Sequence, residues 1–235
     1  MSSLVIIPTY NERENLRDLV ERILSAAESD VFIVDDQSPD GTGDVADELS
    51  AEHTRVNVMH RFGEKGRGAS VRDGFKYALK YGYDFVLEMD ADGSHQPKHL
   101  PRLLQMLKQY DVVVGSRYVT GGRVEYKKFM RKIASRFSNY FIRVVMGIPV
   151  NDVTCDFRGY RRQVLREVDL DSIENRGFLF GVELLYLCFK AGASIRETPI
   201  VFLDRIRGEP KTDLGVVLNY PLKVLNIKKR LYERK

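Results

Sequence analysis

Five short apolar runs rich in β-branched residues punctuate the first half of the chain: Leu4–Pro8 (LVIIP), Val31–Asp35 (VFIVD), Val56–His60 (VNVMH), Phe85–Met89 (FVLEM) and Val112–Gly115 (VVVG). Between them the apolar spacing turns helical. Leu16, Leu19, Val20, Ile23 and Leu24 recur through Asn15–Ala27, and Pro97 stands where a first helical turn would open before Leu100, Leu103, Leu104 and Leu107. Strand and helix alternating every ~25–30 residues predict an α/β fold, a mainly parallel sheet covered by helices on both faces. Ligands of such sheets bind beyond the carboxyl ends of the strands. The polar residues that follow each run are therefore the candidate site.

Those residues are Pro8 to Glu12 (PTYNE), Asp35 to Gly41 (DDQSPDG), Arg61 to Gly68 (RFGEKGRG), Asp90 to His95 (DADGSH), and Ser116 with Arg117. One sheet edge would gather carboxylates, glycines and the cations of Lys65 and Arg67, as a metal–nucleotide site requires. Asp90 and Asp92 end an apolar run, where paired carboxylates suit Mg2+ or Mn2+, hard cations that take oxygen ligands and bridge phosphates. A helix cap is the other reading of Asp92. A second D-x-D triplet, Asp169 and Asp171, lies in the polar stretch DLDSIEN and reads as a turn or helix start. Gly66-Arg67-Gly68 is open between a phosphate loop and a glycine-rich turn that begins a helix. Neither G-x-x-x-x-G-K-S/T nor G-x-G-x-x-G is present, which argues against a P-loop NTPase and a Rossmann dehydrogenase. His60, His95 and His99 are too scattered for a zinc site.

The 235 residues, 43% hydrophobic and 30% charged, can bury the core of one large domain and are neither disordered nor collagen-like. Two cysteines, Cys155 and Cys188, exclude a disulfide framework and make a reducing, intracellular setting the expectation. No signal-peptide pattern and no apolar run near ~18 residues is present, so the chain is expected not to cross a membrane unaided. Charge is split: residues 1–116 carry 13 basic against 20 acidic side chains, net −7, and residues 117–235 carry 24 against 13, net +11. Such halves are expected to meet different parts of a ligand or surface. Phe129–Val145 places Phe129, Ile133, Phe137, Phe141 (with Tyr140) and Val144 on one face, with Arg131, Lys132, Arg136 and Arg143 mostly off it. That helix fits an acidic membrane surface or packing on the sheet equally well. Val216–Leu231, with Lys228-Lys229-Arg230, has the same character. The expected organisation is a catalytic domain over 1–215, with a nucleotide and metal half (1–116) and an acceptor half (117–215). A basic amphipathic helix over 216–235 follows.

Taken in order, several motifs resemble family 2 glycosyltransferases. They are Pro8-Thr9-Tyr10-Asn11-Glu12, Val34-Asp35-Asp36 with Ser38 to Thr42, Asp90 to Pro97, Gly115-Ser116-Arg117-Tyr118 with Gly121-Gly122, and Asp152-x-Thr154 with Phe157-Arg158-x-Tyr160. Gly177-Phe178 before Glu183, then Glu197-x-Pro199, Phe202, Arg205, Gly208 and Lys211 complete the set, which spans nearly the whole chain. Within the family the likeness is to members that transfer mannose from GDP-mannose to dolichyl or another polyprenyl phosphate. The resemblance implies a GT-A fold and transfer with inversion. Carried over by position, Pro8, Tyr10, Glu12, Val34, Asp36 and Ala91 would hold the nucleotide sugar. Asp90 and Asp92 would handle the divalent metal and diphosphate, with Ser94 at a ligand position where some relatives have Gln. Arg117 and Arg131 would act on the acceptor phosphate, and Arg205 with Lys211 would close over the donor. Gly208-Glu209-Pro210-Lys211 departs from the Gly-x-Ser-Lys pattern of relatives. The resemblance further implies peripheral attachment on the cytoplasmic side of a membrane, the endoplasmic reticulum in a eukaryote or the cell membrane in a prokaryote. Amphipathic helices, a small membrane-anchoring subunit, or both would supply it.

The chemistry points the same way. A lipid monophosphate is largely dianionic at neutral pH, so it needs cationic anchors rather than a strong base. Between residues 117 and 143 the chain offers Arg117, Arg123, Lys127, Lys128, Arg131, Lys132, Arg136 and Arg143 against the single acid Glu125. Two alternatives stay open: a polyprenyl-phosphate glucosyltransferase using UDP-glucose, and a non-catalytic nucleotide-sugar-binding subunit. A polysaccharide-elongating transferase is disfavoured, because Q-x-x-R-W is absent and the chain has no Trp. Nucleic acid is not an expected partner of a chain with an acidic, carboxylate-lined half.

Overall fold

The computed structural model describes residues 1–63, 65–125, 129–204 and 220–233. The five apolar runs are five strands: β1 (Ser3–Thr9), β2 (Asp30–Asp35), β3 (Val56–His60), β4 (Phe85–Glu88) and β5 (Val112–Ser116). The helices between them are α1 (Arg13–Ala26), α2 (Thr42–Glu52), α3 (Arg67–Tyr81) and α4 (Leu100–Leu107), the last entered through a 3-10 turn at Pro97–His99. The second half adds β6 (Arg123–Glu125), α5 (Phe129–Met146), β7 (Arg158–Arg161), α6 (Arg162–Glu167), α7 (Phe180–Lys190), β8 (Ile195–Pro199), β9 (Val201–Leu203) and α8 (Tyr220–Glu233).

The main sheet has the order β3-β2-β1-β4-β7-β5-β8 and is parallel except for β7, which runs antiparallel to both neighbours. Register is set by burial on both faces. Val5 pairs with Val31 and Leu87, and Val34 with Pro8 and Met59, so residues 4–7 of β1 and residues 31–34 of β2 are apolar and buried. One face packs on α1, α2 and α4 through Leu16, Val20, Ile23, Leu49, Leu103 and Leu107. The other packs on α3 and α7 through Val71, Phe75, Phe180 and Leu184. Each such aliphatic or aromatic side chain contributes roughly 1.5–3 kcal/mol by leaving water.

α8 shares this second core. Val224 and Ile227 are buried with Ile142 and Met146 of α5, and the two helices lie against each other. The basic cluster near its end is partly tied to the rest of the molecule. Arg230 pairs with buried Glu183 and with Glu174, and Lys228 donates to the Val145 carbonyl at the end of α5. Lys228 and Lys229 are both exposed, the latter beside Glu233, and Arg230 is half-buried. On α5 the sequence face shifts by one row. Met130, Ile133, Phe137, Tyr140 and Val144 stand exposed, Ile142 and Met146 are buried, and Phe141 is half-buried. No helix of the described residues is long and apolar enough to cross a membrane.

Candidate active site

Strand order brings the carboxyl ends of β3, β2, β1, β4 and β5 to one edge, and the motifs meet there. At the β1–β2 end, Asp35 is buried and accepts from Thr9 Oγ1 at 2.9 Å and Ser38 Oγ at 2.6 Å. The Asn11 N–H donates to Ser38 Oγ, and the Glu12 N–H to Thr42 Oγ1. Glu12 in turn begins α1: its carbonyl accepts from Asn15 and Leu16, and its carboxylate from the Asn15 amide. Asn11 and Gln37 take φ of 55° and 58°, a left-handed backbone that L-residues rarely adopt outside functional loops. Tyr10 is exposed at this edge, with the Lys65 ammonium over its ring. Asp36 is tied to Arg61 and to the Gly66 N–H. Val34 sits wholly inside the sheet core, so of the expected nucleoside residues it offers only backbone to a ligand.

The loop after β4 is a compact hydrogen-bonded unit. Gly93, at φ 76°, turns the chain so that Ser94 donates to Asp92 Oδ1 from both its N–H (3.0 Å) and its hydroxyl (2.6 Å). Ser94 is almost fully buried, with its hydroxyl given to Asp92. His95 accepts from the Asp90 N–H through Nδ1 at 3.1 Å, which places its proton on Nε2, toward the Cys155 sulfur. Burial lowers its pKa, so the imidazole is neutral. Burial likewise raises the Cys155 thiol well above its ordinary range, leaving an inert sulfur. Leu203 of β9 donates to the Ser94 carbonyl, so the chain leading to Arg205 starts from this loop. Asp90 and Asp92 are a donor set that fits Mg2+ or Mn2+ when diphosphate oxygens and water complete the shell. Among the described residues no group of three His, Cys, Asp or Glu could hold a metal alone.

Beneath Asp90 lies a residue whose partners the sequence did not disclose. Arg67, at the start of α3, donates from Nε (2.9 Å) and Nη2 (2.8 Å) to Asp90 Oδ1. Its Nη1 stands 3.1 Å from Asp156 and 3.8 Å from Glu88. Burial would lower its pKa; Asp156, Asp90 and Glu88 overcome that and hold the guanidinium firmly charged. The glycines of Gly66-Arg67-Gly68 serve close approach. A Cβ at Gly66 would lie 2.5 Å from the Arg176 carbonyl oxygen, and one at Gly68 2.5 Å from the Phe180 Cβ. This is the helix-opening turn, pressed against residues 176–180.

On the other side, Arg117 forms a two-pronged pair with fully buried Asp152 (2.7 and 2.6 Å) and donates to Thr154 Oγ1. Glu197 accepts from the Asn151 and Asp152 N–H groups and fixes that turn. Thr154 also meets Asn139 of α5, and Tyr118 meets Ser135. Tyr118, Arg136, Asn139, Tyr140, Arg143 and Asn151 line an open hollow of about 270 Å³. Arg205 and Lys211 lie outside the described residues, as does the side chain of Arg131. Asp169 accepts from the Asp171 N–H and begins a 3-10 turn, so the second D-x-D is structural as read.

A mainly parallel sheet with one antiparallel strand, and a D-x-D loop at its carboxyl edge, define a GT-A glycosyltransferase fold. The family model for glycosyl transferase family 2 matches residues 4–169, and the chain belongs to that family. It is 45% identical over 218 residues to an undecaprenyl-phosphate mannosyltransferase of Micrococcus luteus, covering 92% of this chain and 90% of that one. It is 44% identical over 212 residues to a polyprenol monophosphomannose synthase of Mycolicibacterium smegmatis, covering 89% and 80%. Among solved structures, glucosyl-3-phosphoglycerate synthase of Mycobacterium tuberculosis with Mn2+, UDP and glucosyl-3-phosphoglycerate superposes with TM-score 0.67 at 16% identity, over 97% of this chain and 79% of that one. A mannosyltransferase of Pyrobaculum calidifontis with GDP-Man and Mn2+ superposes with TM-score 0.62 at 14% identity, over 99% and 64%.

Proposed function

We propose that this enzyme transfers mannose from GDP-mannose to a polyprenyl phosphate of the dolichyl or undecaprenyl type. An acceptor phosphate oxygen forms a bond to the sugar C1 as the bond from C1 to the diphosphate breaks, which inverts the anomeric centre and releases GDP. The observation that carries this reading is the 45% identity, over nearly the full length of both chains, to an undecaprenyl-phosphate mannosyltransferase. Tyr10, Glu12, Asp36 and the backbone at Pro8, Val34 and Ala91 hold the nucleotide sugar in this proposal, and Arg205 and Lys211 close over it. Asp90 and Asp92, the latter oriented by Ser94, hold Mg2+ or Mn2+, which when bound neutralises charge on the leaving diphosphate. Arg117, its plane set by Asp152, and Arg131 anchor the acceptor phosphate for in-line attack. Residues 1–116 serve nucleotide and metal, residues 117–215 serve the acceptor, and α8 (Tyr220–Glu233) braces α5. The apolar stripe of α5, flanked by Arg136 and Arg143, suits peripheral attachment to the cytoplasmic side of a membrane.

The test is transfer of radiolabelled mannose from GDP-mannose to polyprenyl phosphate in detergent, with Mn2+, with Mg2+ and with EDTA. Metal-dependent label in the lipid phase is expected. Transfer from UDP-glucose in place of GDP-mannose would keep the fold and change the sugar. Silence with both donors, alongside intact GDP binding, would make the chain a nucleotide-sugar-binding subunit.

A further inference from the structure

Arg67 sits where a cation is poorly placed by local rules. It is the first residue of α3, at the positive end of the helix dipole, and its side chain is only 13% exposed. Three carboxylates explain it: Asp90, Asp156 and Glu88 converge on one guanidinium, and both Nε and Nη2 are given to the same oxygen, Asp90 Oδ1. The backbone that carries it is fixed, because Gly66 and Gly68 press the helix start against the backbone of residues 176–177 and the Phe180 side chain, and the Gly68 N–H is bonded to the Arg176 carbonyl at 2.7 Å. Arg67 Nη1 and Glu88 Oε2 remain buried without a hydrogen bond, so the cluster is held by charge and not by complete pairing. A second guanidinium, Arg158, lies 3.8 Å from Asp156 on the far side.

We propose that Arg67 sets the order in which the divalent cation and the nucleotide enter. Without metal, its charge offsets part of the charge of the carboxylates and keeps the acidic loop folded. A free Mg2+ or Mn2+ approaching Asp90 would meet that nearby positive charge and bind weakly. A cation carried by a nucleoside diphosphate brings two or three negative charges with it and overcomes the repulsion. The enzyme therefore loads metal as the nucleotide complex. Arg67 is a positioning residue, acting through Asp90, and the inference rests on the reading of Asp90 and Asp92 as metal ligands.

The experiment is a titration of free Mn2+ by its electron paramagnetic resonance signal, with and without GDP, on wild type, Arg67→Gln, Arg67→Lys and Asp90→Asn, with thermal midpoints measured in parallel. Wild type should bind Mn2+ at least ~10-fold more weakly alone than with GDP. Arg67→Gln should bind Mn2+ alone at least ~10-fold more tightly than wild type, as removing a nearby like charge predicts. Its metal-free midpoint should fall and recover on adding Mn2+. Arg67→Lys keeps the charge and should track wild type in Mn2+ affinity. Arg67→Gln binding Mn2+ no more tightly than wild type, while Asp90→Asn has lost Mn2+·GDP binding, would overturn the role of Arg67 and leave the metal site standing. Full Mn2+·GDP binding by Asp90→Asn would remove the metal site itself and the inference with it.

Discussion

Ser94 donates twice to one oxygen of Asp92, so substitutions at the two positions should separate a ligand from the residue that aims it. Asp92→Ala should lower kcat for mannose transfer by ~10²–10³-fold with little change in thermal midpoint, as expected when an electrostatic stabiliser of the leaving group is lost. Ser94→Ala should cost ~10-fold or less and act mainly on the Mn2+ concentration for half-activation. An Ser94→Ala enzyme as inactive as Asp92→Ala would make Ser94 a ligand in its own right. Asp152 presents a different case. It is fully buried, and Asp152→Ala would strand the Arg117 guanidinium without its partner, which costs about 3–5 kcal/mol in urea unfolding. A loss under 1 kcal/mol would show that Arg117 has another place to go. At this scale the sequence disclosed the two D-x-D carboxylates because they end an apolar run. It did not disclose that Arg67 and Asp156 lie beneath them, since 89 positions separate residues that only β7, inserted between β4 and β5, brings together.

Among the elements, β5 and β8 form the parallel pair farthest from the nucleotide end, and Asp111 fastens their approach. Its carboxylate accepts from the Ser194 N–H (2.9 Å) and hydroxyl (2.6 Å), with Arg161 at 3.7 Å. Burial opposes the charged form, and those hydrogen bonds and Arg161 more than offset it, so the pKa is lowered in the folded state. A lowered folded pKa stabilises above the unfolded value, about 3.9, and that stability disappears as pH falls through the folded pKa. Asp111→Asn should therefore be less stable than wild type by about 1 kcal/mol at pH 7 and nearly equal to it at pH 2–3. Urea midpoints at the two pH values decide it, and a difference that persists in acid would assign the loss to packing. Strands β1, β2, β4 and β5 were legible because burial on both faces demands continuous apolar runs, and the edge strand β3 because its Val56 and Val58 alternate with polar Asn57. β7 was not: its sequence, Arg-Gly-Tyr-Arg, has no such run, and it is a strand because β4 and β5 pair with it from both sides. Gly159 is required there by Leu107, whose Cδ1 would lie 2.6 Å from a Cβ. Neighbours that distant in sequence leave no local signature.

Over the whole molecule, Asp35, Asp36, Asp90 and Asp92 gather beside β1, β2 and β4, while Arg136 and Arg143 stand on α5. The helical periodicity of α5 was readable, but which of its rows faced outward was not, because α8 covers one side and the sheet another. The outcome, among the described residues, is an exposed row of five apolar side chains, with Phe137 63% exposed at its centre and Arg136 and Arg143 exposed on the same helix. Apolar insertion and attraction to anionic headgroups should then add, and they respond to different variables. Cosedimentation with vesicles should rise with the fraction of anionic phospholipid and fall with salt as the Debye length shortens from ~10 Å at 0.1 M to ~3 Å at 1 M. Phe137→Asp should weaken vesicle binding by ~10-fold or more at every salt concentration, since a buried aromatic side chain is worth roughly 1.5–3 kcal/mol. Arg136→Glu should weaken it chiefly at low salt. Neither substitution touches the core, so thermal midpoints should stay within a degree or two of wild type. Vesicle binding indifferent to both changes would move membrane attachment off α5, to the exposed Leu222, Leu225, Lys228 and Lys229 of α8 or to a separate anchoring subunit.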